Sequence, residues 1–349
     1  MRIAVIGAGV FGLATAIELA TRNHKVTVFD QGTIPYENAS STDVAKAMRR
    51  TWYAGDNGTY VELAEQAATQ WKEWEAWSGD SFYHQTGEVV VLENFTPGEP
   101  MYESVEFLRL RGAAIEVMSP EEARCRFSQF RFKDHEVCVF DPWGAYIESS
   151  RAVSVMAEVA RGKGAQIREN TSVRALNERS SEAIVSLDGR DDVFDVAVVA
   201  TGAWVGRLLP QIGANVKVTH QEMLLIEPRD SAGFVHGVFP KWGIDPDGEG
   251  WYGFPLLRQG YLKIAKEPLG DTVDPDSDRS GTAEFAEEVL TFLRERIPEL
   301  AEGNVVAGRS CLYTATPDDH FIIDRVPGME RLFVAGGGSG HGFKFGGSI

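Results

Sequence analysis

The sequence has few cysteines and few basic residues, and each shortage excludes a class of protein. The 349 residues include three cysteines, Cys125, Cys138 and Cys311, which form neither a CxxC pair nor a zinc-ligand spacing. We therefore expect no disulfide framework, no metal site and a reducing, cytoplasmic environment. The 34 Lys and Arg residues are outnumbered by 51 Asp and Glu residues, which gives a net charge of −17. Phosphate backbones require clustered cations, so the composition argues against nucleic acid binding.

Long apolar runs are also missing, and no segment is long enough to span a bilayer. The chain of 349 residues is too long for one ordinary core, and about two domains are expected. Segments typical of nucleotide binding alternate with mixed β segments, which predicts an α/β fold. A discontinuous, Rossmann-like nucleotide-binding domain is predicted over 1–85, 147–215 and 305–349. A mixed β-sheet substrate domain is predicted over 86–146 and 216–304, with the site between the two.

A glycine loop follows the first predicted strand, residues 2–6. The loop reads Gly7-Ala8-Gly9-Val10-Phe11-Gly12 and leads into a helical pattern and a second strand that ends in Asp30. In such a loop the glycines permit a tight turn, close approach of a pyrophosphate and close packing of the helix on the strand. Asp30 is placed to accept hydrogen bonds from a ribose. This order of elements predicts dinucleotide binding.

Two later segments favour FAD over NAD as the dinucleotide. Val198-Val199-Ala200-Thr201-Gly202-Ala203-Trp204 is similar to the strand-to-glycine turn of two-domain FAD-binding oxidoreductases. Gly336-Gly337-Gly338-Ser339-Gly340-His341-Gly342-Phe343-Lys344-Phe345 resembles a glycine-rich turn into a helix, whose N-terminus can stabilise negative charge. A flexible glycine loop is the alternative interpretation of this second segment.

With these residues, the chain resembles the D-amino-acid-oxidase-like superfamily of FAD-dependent enzymes. It is most similar to the branch of monomeric sarcosine oxidases and fructosyl-amino-acid oxidases (amadoriases), over essentially its whole length. The resemblance is carried by the glycine loop with Asp30, Ala39-Ser40-Ser41 with Lys46 and Arg49, Tyr252-Gly253-Phe254-Pro255, Leu262-Lys263-Ile264, the run around Cys311, and Gly340-His341-Gly342-Phe343-Lys344-Phe345.

The resemblance implies a covalent FAD, held by a thioether between Cys311 and the flavin 8α-methyl carbon. Taken alone, a single cysteine is most often a small buried hydrophobe. The residues that the resemblance places around FAD are Gly7, Gly9, Val10, Phe11, Gly12, Asp30, Ser40, Ser41, Lys46, Val173, Thr201, Gly202, Trp204, Cys311, Gly338, Gly340, His341, Gly342, Phe343 and Lys344.

The resemblance also implies roles for three cations. Lys263 would lie over the flavin and promote oxygen reduction, because a fixed cation stabilises the negative charge that oxygen acquires. An exposed strand lysine is the alternative. Arg49 and Lys344 would hold a substrate carboxylate, Arg49 with two parallel hydrogen bonds. For Arg49 the alternative is a surface arginine on a helix.

Two departures from the sarcosine oxidase pattern bear on the substrate. Those oxidases usually have an arginine at the position of Lys46 and a histidine at the position of Glu267. Fructosyl-amino-acid oxidases resemble this chain at both positions, with the lysine on an early helix. Glu267 could accept hydrogen bonds from sugar hydroxyls, or could pair with Lys266 or another surface cation. Tyr252 and Tyr313 would line the same pocket.

We therefore interpret the protein as an oxidase of secondary amines, with fructosyl amino acids as the leading substrates. Hydride leaves the carbon next to nitrogen, the imine hydrolyses, and O2 is reduced to hydrogen peroxide. The alternative is an oxidase of sarcosine or of another N-methyl or cyclic imino acid, and a distant alternative is an NAD-dependent dehydrogenase. The expected partners are a small amine and O2, and the chain is expected to be a monomer.

Overall fold

The computed structural model describes residues 1–53, 58–245 and 250–349. The helices within these ranges are α1 (Val10–Thr21), α2 (Thr59–Ser78), α3 (Pro100–Leu110), α4 (Pro120–Arg126), α5 (Ser149–Gly162), α6 (Val205–Leu208), α7 (Pro210–Gly213), α8 (Ala283–Arg296) and α9 (Pro298–Ala301). Short 3-10 helices cover Gly202–Trp204, Ala232–Phe234 and Gly342–Gly347. In the described part of the chain, every helix is too short or too polar to cross a membrane.

Within the described ranges, the strands form four sheets. In chain order they are β1 (Arg2–Ile6), β2 (Lys25–Phe29), β3 (Lys46–Met48), β4 (Tyr83–Gln85), β5 (Glu88–Leu92), β6 (Glu116–Met118), β7 (Val137–Asp141), β8 (Ala145–Ile147), β9 (Gln166–Arg168), β10 (Ala175–Arg179), β11 (Glu182–Leu187), β12 (Arg190–Phe194), β13 (Val196–Val199), β14 (Lys217–Glu227), β15 (Lys241–Asp245), β16 (Trp251–Gly253), β17 (Leu262–Lys266), β18 (Asn304–Ala315), β19 (Ile322–Arg325) and β20 (Leu332–Gly336).

A six-stranded sheet in the order β19-β20-β13-β1-β2-β9 carries the glycine loop. Its strands are parallel, except that β19 runs antiparallel to β20. Residues 3–6 of β1 are all buried, as expected for a parallel strand that is covered on both faces. Helices α1, α2 and α5 cover one face, and the three-stranded sheet β10-β11-β12 covers the other. This sheet brings together segments from the start, middle and end of the chain.

An eight-stranded sheet in the order β18-β14-β17-β16-β15-β5-β7-β6 forms the second part of the molecule. Its neighbouring strands are antiparallel apart from the parallel pair β15 and β5. Side chains alternate across β17: Leu262 and Ile264 pack in the core under α8, so Lys263 faces the opposite side. A small antiparallel sheet, β3-β8-β4, completes the set of sheets.

Strand β18 spans one of the predicted domain boundaries. It is paired with β14 from Asn304 to Ala315 and therefore belongs to the eight-stranded sheet. Strands β19 and β20, which follow it, lie in the six-stranded sheet. The pairing carries a bulge, because Leu225 faces Ala307 whereas Ile226 faces Val305. The predicted boundary at residue 305 stays a prediction.

The sequence predicts a long helix over 59–77 with Trp71, Trp74 and Trp77 on one side; the helix is present as α2, but the shared side is wrong. Trp71 and Trp74 are buried, whereas Trp77 is 56% exposed. Trp77 is six positions after Trp71, which rotates its side chain by about 240° around the helix axis relative to Trp71. The three tryptophans therefore do not share one side of the helix.

Candidate active site

A long cavity of about 430 Å³ lies at the carboxyl ends of β1, β2 and β13. This is the edge at which open parallel sheets bind ligands. The residues predicted for the cofactor that line it are Gly7, Gly9, Val10, Phe11, Asp30, Ser40, Ser41, Lys46, Val173, Thr201, Gly202, Trp204, Gly338, Gly340, Gly342 and Phe343. Of the same predicted set, Gly12, Cys311, His341 and Lys344 lie elsewhere.

The glycine loop turns as its sequence predicts. Gly7 has a φ of +102°, and a Cβ at this position would lie 2.5 Å from the Ala200 carbonyl oxygen. A Cβ on Gly12 would lie 1.9 Å from the Gly7 carbonyl oxygen, so a side chain there would push α1 away from β1. Gly12 therefore acts by packing and not by lining the cavity.

Polar groups around the loop are oriented towards the cavity. Asp30 accepts hydrogen bonds from the amide nitrogens of Ala8 at 2.7 Å and Gly32 at 3.0 Å. Burial raises the pKa of Asp30, although these two amides act in the other direction. The Ser41 hydroxyl accepts the Val10 amide at 3.0 Å. The carboxylate and the hydroxyl are thus fixed before any ligand arrives.

The cavity also contains a buried hydroxyl without a hydrogen-bond partner in the described part of the chain, and a bound dinucleotide could supply one. The Thr201 hydroxyl is buried, and the described residues offer it no hydrogen-bond partner. The N-terminus of α1 has no side-chain cap at Gly9 and faces the same space. Buried polar groups normally have partners, and helix N-termini bind phosphate. The residues present therefore fit FAD.

A second cavity of about 510 Å³, called the substrate pocket below, adjoins the first. Tyr313 and Gly340 line both cavities, so the two spaces meet at these residues. The remaining described residues of the substrate pocket include Arg49, Trp52, Tyr53, Tyr60, Asp245, Gly250, Glu267, Pro268, Leu269, Asp318, Asp319, His320, Ser339 and His341. The predicted residues Arg49, Glu267, Tyr313 and His341 are thus brought together.

Lys344 is buried behind the substrate pocket, within the 3-10 helix Gly342–Gly347. Its ammonium donates to the Tyr53 hydroxyl at 3.0 Å and to the His341 carbonyl at 2.9 Å. Within the described ranges, no carboxylate forms an ion pair with it. Burial and the neighbouring Arg49 guanidinium hold the pKa of Lys344 well below its usual range. A bound anion would compensate this charge.

Arg49 and Glu267 form the polar side of the substrate pocket. An Arg49 Nη2 lies 3.0 Å from Glu267 Oε1, while 51% of the Glu267 side chain stays exposed. Loss of water in the pocket would raise the pKa of Glu267, but Arg49, Lys241 and Lys344 lower it overall. Two alternative interpretations are wrong. Arg49 lies after β3 and is not on a surface helix. Glu267 pairs with the largely buried Arg49 and not with a surface cation, and Lys266 pairs with Glu288.

Lys263 is buried on β17, so its interpretation as an exposed lysine is wrong. Its ammonium donates to Asp43 Oδ2 and to the Ala45 carbonyl, the latter at 3.0 Å. Lys46 Nζ lies 3.1 Å from the same Asp43 oxygen. Burial would raise the pKa of Asp43, but the two lysines hold it well below its usual range. Burial lowers the pKa of Lys263.

Cys311 lies beside this lysine pair and does not line the long cavity. Its Sγ is 3.5 Å from Lys46 Nζ and 3.6 Å from the Ser40 carbonyl, and the residue is buried against Met223 and Ala265. Lys46 is on the short strand β3, so the expectation of an early helix is wrong.

The two predicted tyrosines occupy different depths. Tyr313 lines both cavities, whereas Tyr252 lies beneath them, packed against the Cys311 cluster. Burial raises the pKa of both hydroxyls, that of Tyr313 to about 12. Both phenols therefore remain neutral hydrogen-bonding groups near neutral pH.

Sequence reasoning missed several groups that the structure places at this site. Asp43 and Tyr53 contact the predicted lysines directly, and Glu88 and Lys241 form a buried pair behind Arg49. A buried lysine needs a counter-ion, so an acid three residues before Lys46 was a usable signal for Asp43. The other three have no local pattern: Glu88 and Lys241 meet through the pairing of β5 with β15, and Tyr53 lies outside the strands.

Similarity to known proteins agrees with this geometry. Residues 2–349 match the family model described as DAO, FAD dependent oxidoreductase. A monomeric sarcosine oxidase of Bacillus sp. (strain B-0618) is 26% identical over 98% of this chain and 88% of its own length. An N-methyl-L-tryptophan oxidase of Yersinia pestis (strain Pestoides F) is 28% identical over 98% of this chain and 90% of its own.

Among solved structures, the fructosamine oxidase Amadoriase II of Aspergillus fumigatus has a similar fold. The TM-score is 0.82 at 23% identity, covering 100% of this chain and 84% of the other. The predicted fold class, a FAD domain with a mixed-sheet substrate domain, is thereby confirmed. The glycine loop, the fitted cavity and the full-length family match confirm the predicted identification, and the chain belongs to the DAO family of FAD-dependent oxidoreductases.

Proposed function

We propose that this protein is an FAD-dependent oxidase of amino acids that carry a secondary amine, with N-methyl amino acids as the leading substrates. The observation that carries the proposal is the buried Lys344, whose charge has no ion-pair partner among the described residues. A buried cation without compensation is unfavourable. A substrate carboxylate in the adjoining pocket would supply the missing charge.

Arg49 is the second anchor for that carboxylate. A guanidinium can donate two parallel hydrogen bonds to a carboxylate, and an ammonium adds a point charge. Tyr53 links the anchors, because it accepts from Lys344 at 3.0 Å and lies under the Arg49 guanidinium. Holding the carboxylate at this end fixes which carbon of the substrate points towards the long cavity, as orientation of a reactive group requires.

The wall of the substrate pocket suggests a substrate with a side chain on its α-carbon, which sarcosine lacks. Trp52, Tyr53 and Tyr60 line it together with Leu269. Aromatic walls bind apolar and aromatic groups. The names of the two relatives, sarcosine oxidase and N-methyl-L-tryptophan oxidase, support an N-methyl amino acid better than a fructosyl amino acid.

When bound, FAD would accept hydride from the carbon next to the amine nitrogen and pass the electrons to O2, which yields hydrogen peroxide. The chain's own residues orient the substrate, exclude water and place charge. Lys263 contributes a fixed cation on the side of β17 that faces away from the α8 core. We further propose that FAD is joined covalently to Cys311, whose Sγ lies 3.5 Å from the Lys46 ammonium.

Fructosyl amino acids remain the second candidate substrates. Lys46 and Glu267 support them, since a carboxylate at the rim of the pocket can accept hydrogen bonds from sugar hydroxyls. In the structure the Glu267 carboxylate forms an ion pair with Arg49. To bind a sugar, Glu267 would have to contact both Arg49 and the sugar, or leave Arg49. The same pair would also have to be shared or released for Arg49 to bind a substrate carboxylate, so it does not separate the two substrate classes.

A peroxide assay with a matched panel tests the proposal. Sarcosine, N-methyl-L-tryptophan, L-proline and fructosyl-glycine would be compared, together with N-methyltryptamine, which lacks the carboxylate. We expect the N-methyl amino acids to have the highest kcat/KM and N-methyltryptamine to lose at least about a hundredfold. Highest activity on fructosyl-glycine would replace the leading substrate class, and equal activity without the carboxylate would contradict the anchoring role.

A further inference from the structure

Three charged side chains form a buried row across neighbouring strands of the eight-stranded sheet. Lys241 on β15 faces Glu88 on β5, and Glu88 faces Asp141 on β7. Their exposed fractions are 3%, 1% and 1%. Removing charges from water is unfavourable even when they are paired, and similar hydrophobic residues are often as stable. A role beyond stability would account for such a row.

The row holds the chain segment that carries the carboxylate anchor. Glu88 accepts a hydrogen bond from the Lys241 ammonium and another from the Thr51 hydroxyl at 3.0 Å. Asp141 accepts from Arg50 at 3.0 and 3.2 Å. Arg50 and Thr51 are thus fastened to the sheet, and the residues on either side of them in sequence, Arg49 and Trp52, line the substrate pocket.

Lys241 and Glu88 also belong to the electrostatic environment of the pocket, although neither lines it. The negative charge of Glu88 favours a higher pKa for Arg49 and for Lys344, whereas the positive charge of Lys241 favours a lower pKa for Lys344. Lys241 also favours a lower pKa for Glu267. Among these described groups, the cations Arg49, Lys241 and Lys344 exceed the carboxylates Glu88 and Glu267 by one charge. In a buried region of low dielectric such charges act over several ångströms.

We propose that Lys241 and Glu88 are a specificity-determining pair that sets how strongly the substrate pocket attracts a carboxylate. Lys241 supplies attraction from behind the pocket, and Glu88 limits it while holding Thr51. The inference rests on the proposed function, since it takes a carboxylate as the natural occupant. It assigns the pair an electrostatic role in addition to its structural one.

The test measures carboxylate binding to the holoenzyme, with acetate as the probe and acetamide as its neutral counterpart. Dissociation constants come from the change in flavin absorbance. The variants are Lys241→Met, Glu88→Gln and the double variant, which leaves no charge of the pair buried. Glu136→Gln with Arg296→Met is the matched control, because Arg296 and Glu136 form a buried pair at 2.7 and 2.8 Å elsewhere in the sheet domain.

We expect Lys241→Met to weaken acetate binding on the order of tenfold. Glu88→Gln should bind acetate at least as tightly as the wild type, and the double variant should return close to it. Acetamide binding and the control pair should show no such pattern. An electrostatic role predicts that the acetate dissociation constant changes in opposite directions in the two single variants. A purely structural role would weaken acetate binding in both.

Two results separate the failure of this inference from that of the proposed function. If both single variants weaken acetate binding and the double variant does not recover, the pair is structural and the inference is wrong. The same holds if acetate binding is lost in Arg49→Met but unchanged in Lys241→Met. If the wild type and Arg49→Met bind acetate equally, the carboxylate site itself is wrong, and the inference falls with it.

Discussion

Asp43 shows how one buried side chain can connect two functions. Its Oδ2 atom contacts the ammonium groups of both Lys263 and Lys46, while its backbone carbonyl accepts from the hydroxyls of Ser149 and Ser150. The lysine proposed to serve oxygen and the lysine beside Cys311 therefore share a counter-ion. Movement of Asp43 would disturb both.

Substitution of Lys263 by Met should slow reoxidation of the reduced holoenzyme by oxygen on the order of a hundredfold, because a fixed positive charge is lost. Reduction by substrate should change much less. Stopped-flow measurement of the two half-reactions separates the effects. Lys266→Met is the control, since Lys266 lies on the same strand and its ammonium faces Glu288 and the ring of Trp251. Equal slowing in both variants would contradict the role of Lys263.

The covalent bond to Cys311 is tested by denaturation in acid. The wild-type protein should remain yellow after precipitation and washing, because a thioether survives acid. Cys311→Ser should release its flavin into the supernatant, and Cys125→Ser, which changes an exposed cysteine, should behave like the wild type. Release of flavin from the wild type would show that the cofactor is bound without a covalent link.

At the scale of elements, the βαβ opening could be predicted and the segment between Asp43 and Tyr53 could not. The glycine loop has a spacing that follows from local backbone geometry, so β1, α1 and β2 appear where expected. The later segment has a three-residue strand and no hydrophobic period. Its conformation depends on pairing of β3 with β8, about a hundred residues away in the chain.

The glycine-rich C-terminal segment illustrates the same limit. A turn into a helix was predicted, and Gly342–Gly347 does form a helix, but of the 3-10 type. Trp71 of α2 donates to the Lys344 carbonyl at 2.9 Å, and the Phe343 ring stacks on Trp71. These contacts come from tertiary packing. Local glycine content alone could not distinguish them from a flexible loop.

Gly12→Ala should separate α1 from β1, since the new Cβ would lie 1.9 Å from the Gly7 carbonyl oxygen. We expect a loss of about 2 kcal/mol or more in stability and a lower flavin content after purification. Differential scanning calorimetry and the flavin-to-protein absorbance ratio measure the two effects. Gly162→Ala is the control, because its Cβ would meet only Trp77 at 3.5 Å. Full flavin content in Gly12→Ala would contradict the packing argument.

For the whole molecule, the order of nucleotide-type and mixed β segments was sufficient to predict a discontinuous α/β architecture. Buried strands such as β1, β13 and β20 are recognisable from their apolar runs, and they do meet in one parallel sheet. The pairing partners within the eight-stranded sheet were not predictable. Strand β5 lies between β15 and β7, an arrangement set by long-range contacts with no sequence pattern of their own.

For the substrate class, too, the sequence was sufficient for one part of the prediction and insufficient for another. The family could be identified from short motifs, whereas Lys46 and Glu267 were given more weight for a fructosyl substrate than their surroundings support. Lys46 pairs with Asp43, and Glu267 pairs with Arg49. Each therefore already has a partner within the chain. A charged residue read from sequence alone does not reveal which partner it has.

The pairing of β14 with β18 has a consequence for the maturation of the enzyme. Cys311 faces Gln221 and Tyr313 faces Thr219, and the bulge at Leu225 lies beyond them along the strand. Since side chains alternate along a strand, a slip of one residue would turn both Cys311 and Tyr313 to the wrong face. If the thioether forms as proposed, only chains with the correct alignment of β14 and β18 can form it. Covalently bound flavin would then be found only on chains in which these two strands had paired correctly.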